Sequence, residues 1–541
     1  MNPFFQLTLA VAVSMLVIPL VRRLAPRLGL LDMPDPRKVH AVPIPRVGGW
    51  GITLGTLLPL ILVLKLDPVV QSFLIGCAVL FAFGIWDDAR SIGHWPKFAG
   101  QLAAVAVVVY YGDLWVSHVP FIDGTLPADI GKPFTMFALI GVINAINHSD
   151  GLDGLAGGES VLSLTALAIL GYMSGSALVM SISLATIGGI FGFLRYNSHP
   201  AYVFMGDCGS QVLGFTLGFL VVYLTQVANT AVSAALPLLI LGLPLADILS
   251  VLYQRIRSGM NWFKATRNHV HHRLLQLGFD HSESVVIIYL VQATFVVSAV
   301  LARYESDGTV TLVYLAGITA LFSALAAAER RQWRLPRGGA QFRVTRAIDV
   351  LKQSKVIVKG SLLVISVLTP TVMLISALLV TRVPSDFAAA AAVLAILPAT
   401  QLLWPQPMRP VLLRLAIYAT AIFPAYLLIS RPDVIPHSAQ FLITAVIVVL
   451  ALAIVVYVRF SAEQRFGTTP TDYLIVCGVV ALTVFGSIEV NSREVVEAVL
   501  LATVLSYACE IIVGTAPQST GRRVLQLSTV GTLLIITLRG L

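Results

Sequence analysis

Five polar clusters interrupt an otherwise apolar chain, and their residue types limit the chemistry available to it. Asp87 and Asp88 stand side by side in Gly84-Ile85-Trp86-Asp87-Asp88-Ala89-Arg90, at the end of an apolar stretch. Adjacent carboxylates in such a place are costly unless something pairs with them. Mg²⁺ often takes one or two carboxylates together with substrate phosphates. Lys97 opens the next apolar block and can partner a phosphate or a carboxylate. The run from Asn144 to Gly158 gathers Asn144, Asn147, Asp150 and Asp153 among four glycines. Amide carbonyls and carboxylates bind Mg²⁺ or ribose hydroxyls, and glycines let the backbone come near phosphate. A solvated turn has no need of this density of special residues. Phe204-Met205-Gly206-Asp207-Cys208-Gly209-Ser210 places one acid between glycines at a helix start, a metal-ligand or phosphate site. His269-Val270-His271-His272-Arg273 offers three imidazoles and a guanidinium. Zinc is conceivable there, but no cysteine or further ligand spacing supports it, and cationic recognition of a diphosphate fits better. The fifth cluster, Arg37-Lys38-Val39-His40 followed by Pro43-Ile44-Pro45-Arg46-Val47-Gly48-Gly49, joins cations to glycines that permit close approach.

The elements that must position these groups are membrane helices. The 541 residues are 57% hydrophobic and 12% charged, against about 25% charged in a soluble domain. The apolar residues fall in continuous blocks of about 17–24, the length that crosses a hydrocarbon core as a helix. The pattern predicts an all-α polytopic membrane protein. About 11 transmembrane helices are expected before residue 330, near 3–21, 49–66, 69–86, 97–112, 134–147, 159–175, 177–194, 210–227, 232–252, 285–302 and 308–328. About 7 more are expected in a C-terminal extension, near 357–381, 385–404, 411–429, 438–458, 472–488, 494–513 and 523–539. Residues 331–356 form a basic cytoplasmic linker, so the domains read as 1–330, 331–356 and 357–541. The apolar stretch at Pro3–Val21 has Arg22, Arg23 and Arg27 after it, the reverse of a cleaved signal, and reads as a retained first helix. With the N-terminus outside, alternation puts the strongly basic loops inside. All five polar clusters then share the cytoplasmic side. The formal charge of +9 is accounted for by these loops, and nucleic acid is not an expected partner. The four cysteines show neither metal-site nor disulfide spacing.

Taken in order, R-K-x-H with P-x-P-R-x-G-G, G-x-x-D-D, N-A-I-N-x-x-D-G-L-D-G-L-A-x-G, F-M-G-D-x-G-S and H-x-H-H-R-L resemble one family over roughly residues 1–330. It is the polyprenyl-phosphate N-acetylhexosamine-1-phosphate transferase family. The pattern is most similar to the branch that starts O-antigen, enterobacterial common antigen and teichoic acid linkage units. The resemblance implies a ten- or eleven-helix fold, a cytoplasmic active site in a bacterial inner membrane, and dependence on Mg²⁺ (or Mn²⁺). It implies that Asp87, Asp88 and Asp207 are catalytic. It places Asp207, Asn147 and Asp150 at the metal. Lys38, His40, Arg46, Lys97, Asn144, Asn147, Asp150, Asp153, His269, His271, His272 and Arg273 become substrate-binding candidates. Two positions depart from the branch: Thr266 stands where an acid is usual, and His148 where the residue is usually apolar.

The implied partners are undecaprenyl phosphate, a UDP-N-acetylhexosamine and membrane lipids, with a homodimer by analogy. In the implied reaction the lipid phosphate attacks the β-phosphorus of the UDP-sugar, GlcNAc-1-phosphate is transferred, and UMP leaves. Asp87 is the expected base. The competing reading is a lipid-linked sugar transporter or flippase, which the large number of spans encourages. Transporters keep their ionisable site near the bilayer midplane, whereas these clusters sit at span ends. The C-terminal extension carries no readable motif.

Overall fold

The computed structural model describes residues 3–34, 42–122, 124–259, 268–335, 355–380, 383–403, 437–460, 493–515 and 520–540, with scattered residues between Ala416 and Leu427. They fall into two compact units, one within Met1–Pro336 and one drawn from the residues after it.

In the first unit, α1 (Pro3–Leu28) leads through a two-residue antiparallel ladder, β1 (Leu31–Asp32) with β2 (Ile44–Pro45), into α2 (Gly48–Val63). Then follow α3 (Pro68–Arg90), α4 (His94–Ala106), α5 (Ala128–Ser149), α6 (Leu155–Met173), α7 (Ala177–Asn197), α8 (Asp207–Tyr223), α9 (Leu236–Ile240), α10 (Gly242–Arg257), α11 (Val270–Gln276), α12 (His281–Leu301) and α13 (Asp307–Arg330). Local chemistry sets many of the helix starts. Asp67 accepts from Val70 N at 2.8 Å with Pro68 in the first turn of α3. Asp280 and Glu283 form a reciprocal capping box on α12, and Ser306 caps α13. Each satisfies N–H groups that a helix start leaves without an intrahelical partner.

Among the described residues of the whole chain, nine helices are long and apolar enough to cross a membrane. The architecture is all-α and polytopic, as expected. Three of the anticipated spans differ in detail. The block at 49–66 forms a helix of 16 residues. The block at 97–112 is α4 continued by a π-helical turn at Val107–Tyr111. The block at 232–252 is broken into α9 and α10 at Leu241–Gly242, where Pro237, Gly242 and Pro244 interrupt the helical ladder. Gln292 of α12 repairs the break. Its Oε1 accepts from Leu243 N at 2.8 Å and its Nε2 donates to Ile240 O at 3.0 Å. Backbone groups freed at membrane depth must find such partners.

α8 is the hub. It packs against α3 and α5, and small residues bring the backbones together. A Cβ at Gly84 of α3 would collide with the backbone of Cys208, and one at Gly214 of α8 would lie 2.6 Å from Ile143 Cα of α5. The helices that carry the polar clusters are therefore locked to one another by contacts that tolerate no added methyl group.

The second unit contains α14 (Lys355–Leu379), α15 (Ser385–Leu403), α16 (His437–Phe460), α17 (Arg493–Thr515) and α18 (Thr520–Gly540). Its core includes Ile365, Met373, Leu450, Leu505, Ile512 and Leu525. Five of the seven helices expected after residue 356 match these. The other two, near 411–429 and 472–488, lie wholly or largely outside the described residues, as does most of the basic linker.

Candidate active site

The end of α3 is bound directly to the start of α8. Both Asp88 carboxylate oxygens are occupied: Oδ1 accepts from Asp207 N at 2.8 Å and Oδ2 from Cys208 N at 3.1 Å. These are the N–H groups that open α8, so Asp88 acts as its cap from another helix. Gly206, at φ +76°, makes the turn that aims them, and a Cβ there would meet the Asp88 carboxylate. Asp88 is buried.

Asp87, next in sequence, faces differently. Its Oδ1 accepts from Ile92 N at 2.9 Å, and its Oδ2 lies 3.4 Å from Lys97 Nζ. The Lys97 ammonium also hydrogen-bonds Asp207 and stands 3.5 Å from Asn147 Oδ1. Asn147 Nδ2 donates to Asp207 Oδ1 at 2.6 Å and to Ser210 Oγ at 2.7 Å. Oxygens from α3, α5 and α8 thus converge on one cationic nitrogen. Two carboxylates and an amide carbonyl around a point charge are also the hard oxygen donors that Mg²⁺ selects. The donor set fits a divalent ion held by Asp87, Asn147 and Asp207.

Asp150 lies in the turn that follows α5. Burial, with Asp207, Asp88 and Asp153 nearby, pushes its carboxyl up to about 7. Asn144, one turn before Asn147, is engaged elsewhere: it donates to Gln101 Oε1 at 3.0 Å, and Gln101 donates to Gln211 Oε1 at 3.1 Å. That buried amide chain ties α4, α5 and α8 together just above the charged cluster.

The histidine motif is held by an acid from α10. Asp247 Oδ2 is 2.7 Å from His269 Nδ1, and Asp247 Oδ1 accepts from Val270 N at 2.9 Å. Both side chains are buried. This fixes which imidazole nitrogen of His269 is left for other contacts. His271 lies against Gly151 of the third cluster, and burial beside His272 pulls its imidazole down to about 3. It is therefore uncharged near neutrality and offers a neutral hydrogen-bonding group. Arg273 forms a bidentate pair with Glu329, 2.7 and 2.9 Å, so its charge is already matched within the fold. One imidazole of the motif is thus neutral and its guanidinium is paired. A cavity with room for about one water molecule lies between Ser149, Glu159, Asp247 and His271.

The five clusters meet as well as sharing a helix end. Gly48 N and Gly49 N of the first donate to Phe204 O and Met205 O of the fourth, at 2.9 and 2.8 Å. Arg46 pairs with Asp32 across the small ladder. Asp153 joins His199 at 2.7 Å and Ala201 N at 3.1 Å, not the Lys97 cluster. Lys38 and His40 lie outside the described residues, as does Thr266. Asp247, Glu159, Gln101, His199 and His281 belong to none of the five sequence clusters. Asp247 and Glu159 had a readable signal, since an acid within an apolar block calls for a partner. Gln101, His199 and His281 had none, because they gain meaning only from neighbours distant in sequence.

The glycosyl transferase family 4 profile matches residues 70–225, the stretch that supplies Asp87, Asp88, Lys97, Asn147 and Asp207. Over 305 residues the chain is 33% identical to a Bacillus subtilis (strain 168) protein named "Probable undecaprenyl-phosphate N-acetylglucosaminyl 1-phosphate transferase", covering 55% of this chain and 85% of the relative. It is 31% identical over 292 residues to an Escherichia coli O157:H7 protein named undecaprenyl-phosphate alpha-N-acetylglucosaminyl 1-phosphate transferase, covering 52% and 79%. A Haemophilus influenzae protein of the same name is 32% identical over 334 residues, covering 60% and 93%. With most of each relative's length matched and the converging carboxylates inside the matched segment, the chain belongs to glycosyl transferase family 4, as a membrane phosphoglycosyltransferase.

Proposed function

We propose that the protein transfers N-acetylglucosamine-1-phosphate from UDP-N-acetylglucosamine to undecaprenyl phosphate, releasing UMP and starting a lipid-linked cell-surface glycan. The observation that carries this reading is the convergence of Asp87, Asn147 and Asp207 on Lys97 within the segment that the family profile matches. The relatives' names supply the acceptor and the sugar. The positive-inside count supports a site facing the cytoplasm of a bacterial inner membrane. The same analogy that supplies the substrates supports a homodimer.

An oxygen of the lipid phosphate attacks the β-phosphorus of the nucleotide sugar, and the bond from that phosphorus to UMP breaks. Such transfers depend on positioning and charge neutralisation more than on covalent help from the protein. Asp87 takes a proton from the acceptor phosphate, a role its contact with Lys97 supports. Lys97 neutralises the phosphate oxygens, and Asp207 and Asn147 would reach the diphosphate through the divalent ion that they hold. Mg²⁺ bound by Asp87, Asn147 and Asp207 would supply Lewis-acid stabilisation of the transferring group. Asp88 works through α8, whose first N–H groups it holds. His269, oriented by Asp247, closes the sugar-nucleotide side.

The test is UMP release from the full chain in detergent with undecaprenyl phosphate and UDP-N-acetylglucosamine. Mg²⁺-dependent release that falls by about 10²–10³ or more in Asp207→Ala is expected. No release across a panel of UDP-hexosamines would overturn the reading.

A further inference from the structure

Beside the oxygen-lined cluster lies a second group of different character. Asp153 comes from the turn between α5 and α6, His199 from the turn after α7, and His281 is the first residue of α12. His199 Nδ1 is 2.7 Å and His281 Nε2 is 3.9 Å from Asp153 Oδ2. One ligand atom from each of the three residues lies within 4.8 Å of the others. The imidazoles stack with centroids 4.0 Å apart and planes inclined by 17°, so both rings present an edge to the same carboxylate. Among the described residues, no other group of three or more His, Cys, Asp or Glu converges in this way.

We propose that Asp153, His199 and His281 form a structural site for a borderline transition-metal ion of the Zn²⁺ type, separate from the Mg²⁺-type site at Asp87 and Asp207. Two imidazoles and a carboxylate suit Zn²⁺ and its neighbours, whereas Mg²⁺ prefers an all-oxygen octahedron. For metal–ligand bonds near 2.1 Å, the ligand atoms of a tetrahedral site stand about 3.4 Å apart. The observed 2.7 and 3.9 Å straddle that spacing, and rotation of the stacked rings toward Asp153 creates the site. The ion replaces the proton now shared between His199 and Asp153. It also competes with Asp153 N, which donates to His281 Nε2 at 3.0 Å. His199 is half-exposed, which leaves an open path and an open coordination position.

The clamp has a clear mechanical effect. The turn from Asp150 to Gly154 joins α5, which carries Asn147, to α6. Tying Asp153 to the end of α7 and the start of α12 fixes that turn from two sides. The site is structural because its ligands lie off the Lys97 cluster and tie down three connections between helices.

The full chain, purified without a histidine tag and held in excess Mg²⁺ to fill the oxygen site, is titrated with Co²⁺ and then Zn²⁺. The expected result is a stoichiometric visible d–d absorption from one Co²⁺ per chain, abolished by Zn²⁺, with a higher Tm in the loaded protein. His199→Gln and His281→Gln each remove the absorption and the Tm gain. Absence of stoichiometric Co²⁺ binding in the unaltered chain overturns the proposal without any variant. Absorption that survives both substitutions but disappears in His271→Gln also overturns it, by placing the ion on the histidine motif.

Discussion

Lys97 meets three demands at one nitrogen, since Asp87, Asp207 and Asn147 all present oxygens to it. In Lys97→Met the side chain keeps its length and loses its charge, leaving two facing carboxylates to repel each other. UMP release should fall by about 10²–10³. The Tm of that variant in metal-free buffer should also drop and recover when Mg²⁺ is added, a recovery larger than in the unaltered protein. Equal Tm responses in the two proteins would show that Lys97 is not the counter-ion of this pair. Asp247 makes a different prediction. Asp247→Asn keeps an acceptor for Val270 N but turns an N–H toward His269 Nδ1, which forces the other tautomer. Activity should fall about 10–100-fold, the usual size of an orienting effect. His269→Gln in the same background should add little, as a shared role requires.

Asp150 carries a pH signature of unusual sign. Its folded-state carboxyl titrates at about 7, above its ordinary value of 3.8. Between those values the folded chain holds a proton that the unfolded chain has lost. Stability therefore declines as pH rises through that window, opposite to the behaviour of an ion-paired carboxylate. Asp150→Asn should make the decline shallower, measured as Tm against pH in metal-free buffer. A profile unchanged by the substitution would remove Asp150 from the account.

At the scale of the element, the break between α9 and α10 is the least forgiving feature. Gln292 satisfies one carbonyl and one amide there with a single side chain, and also donates to Ser163 Oγ at 2.9 Å. Gln292→Leu should cost about 1–3 kcal/mol by leaving Leu243 N unpaired, since Ile240 O keeps its bond from Ser163 Oγ at 2.8 Å, read as a lowered Tm in detergent. Retention of the full Tm would mean that water enters the break. This element also marks the limit of what the sequence reveals. Helix type and approximate span ends were legible at most places in the first unit because lipid allows few alternatives to a helix. The break was not, since the apolar block at 232–252 runs through it and only Pro237, Gly242 and Pro244 hint at interruption. In the site, Asp87, Asn147 and Asp207 were legible through dense motifs. Their counter-ion geometry was not, nor was the division of labour between Asp87 and Asp88, because adjacent identical residues differ only in what the fold places opposite them.

For the whole molecule, the family profile at residues 70–225 lies inside the first unit. An alignment of 305 residues takes in 85% of the Bacillus subtilis protein but 55% of this chain, so relatives of that size have no room for the second unit. The chemistry is expected to reside in the first. A chain ending at Pro336 should retain Mg²⁺-dependent UMP release within about tenfold of the full chain. Loss of all release, with the truncated protein still monodisperse, would make the second unit part of the enzyme.

The lysine among the carboxylates has one more consequence, at the level of linked equilibria. A site with two carboxylates and one ammonium is already partly charge-matched at rest, so an arriving divalent ion must displace charge as well as fill space. The displaced ammonium is best accommodated by a newly arrived phosphate. On the proposed reading, ion and nucleotide sugar would each improve the other's affinity by the same factor, as reciprocity requires. The charge pattern of the site would then be complete only when both components are present.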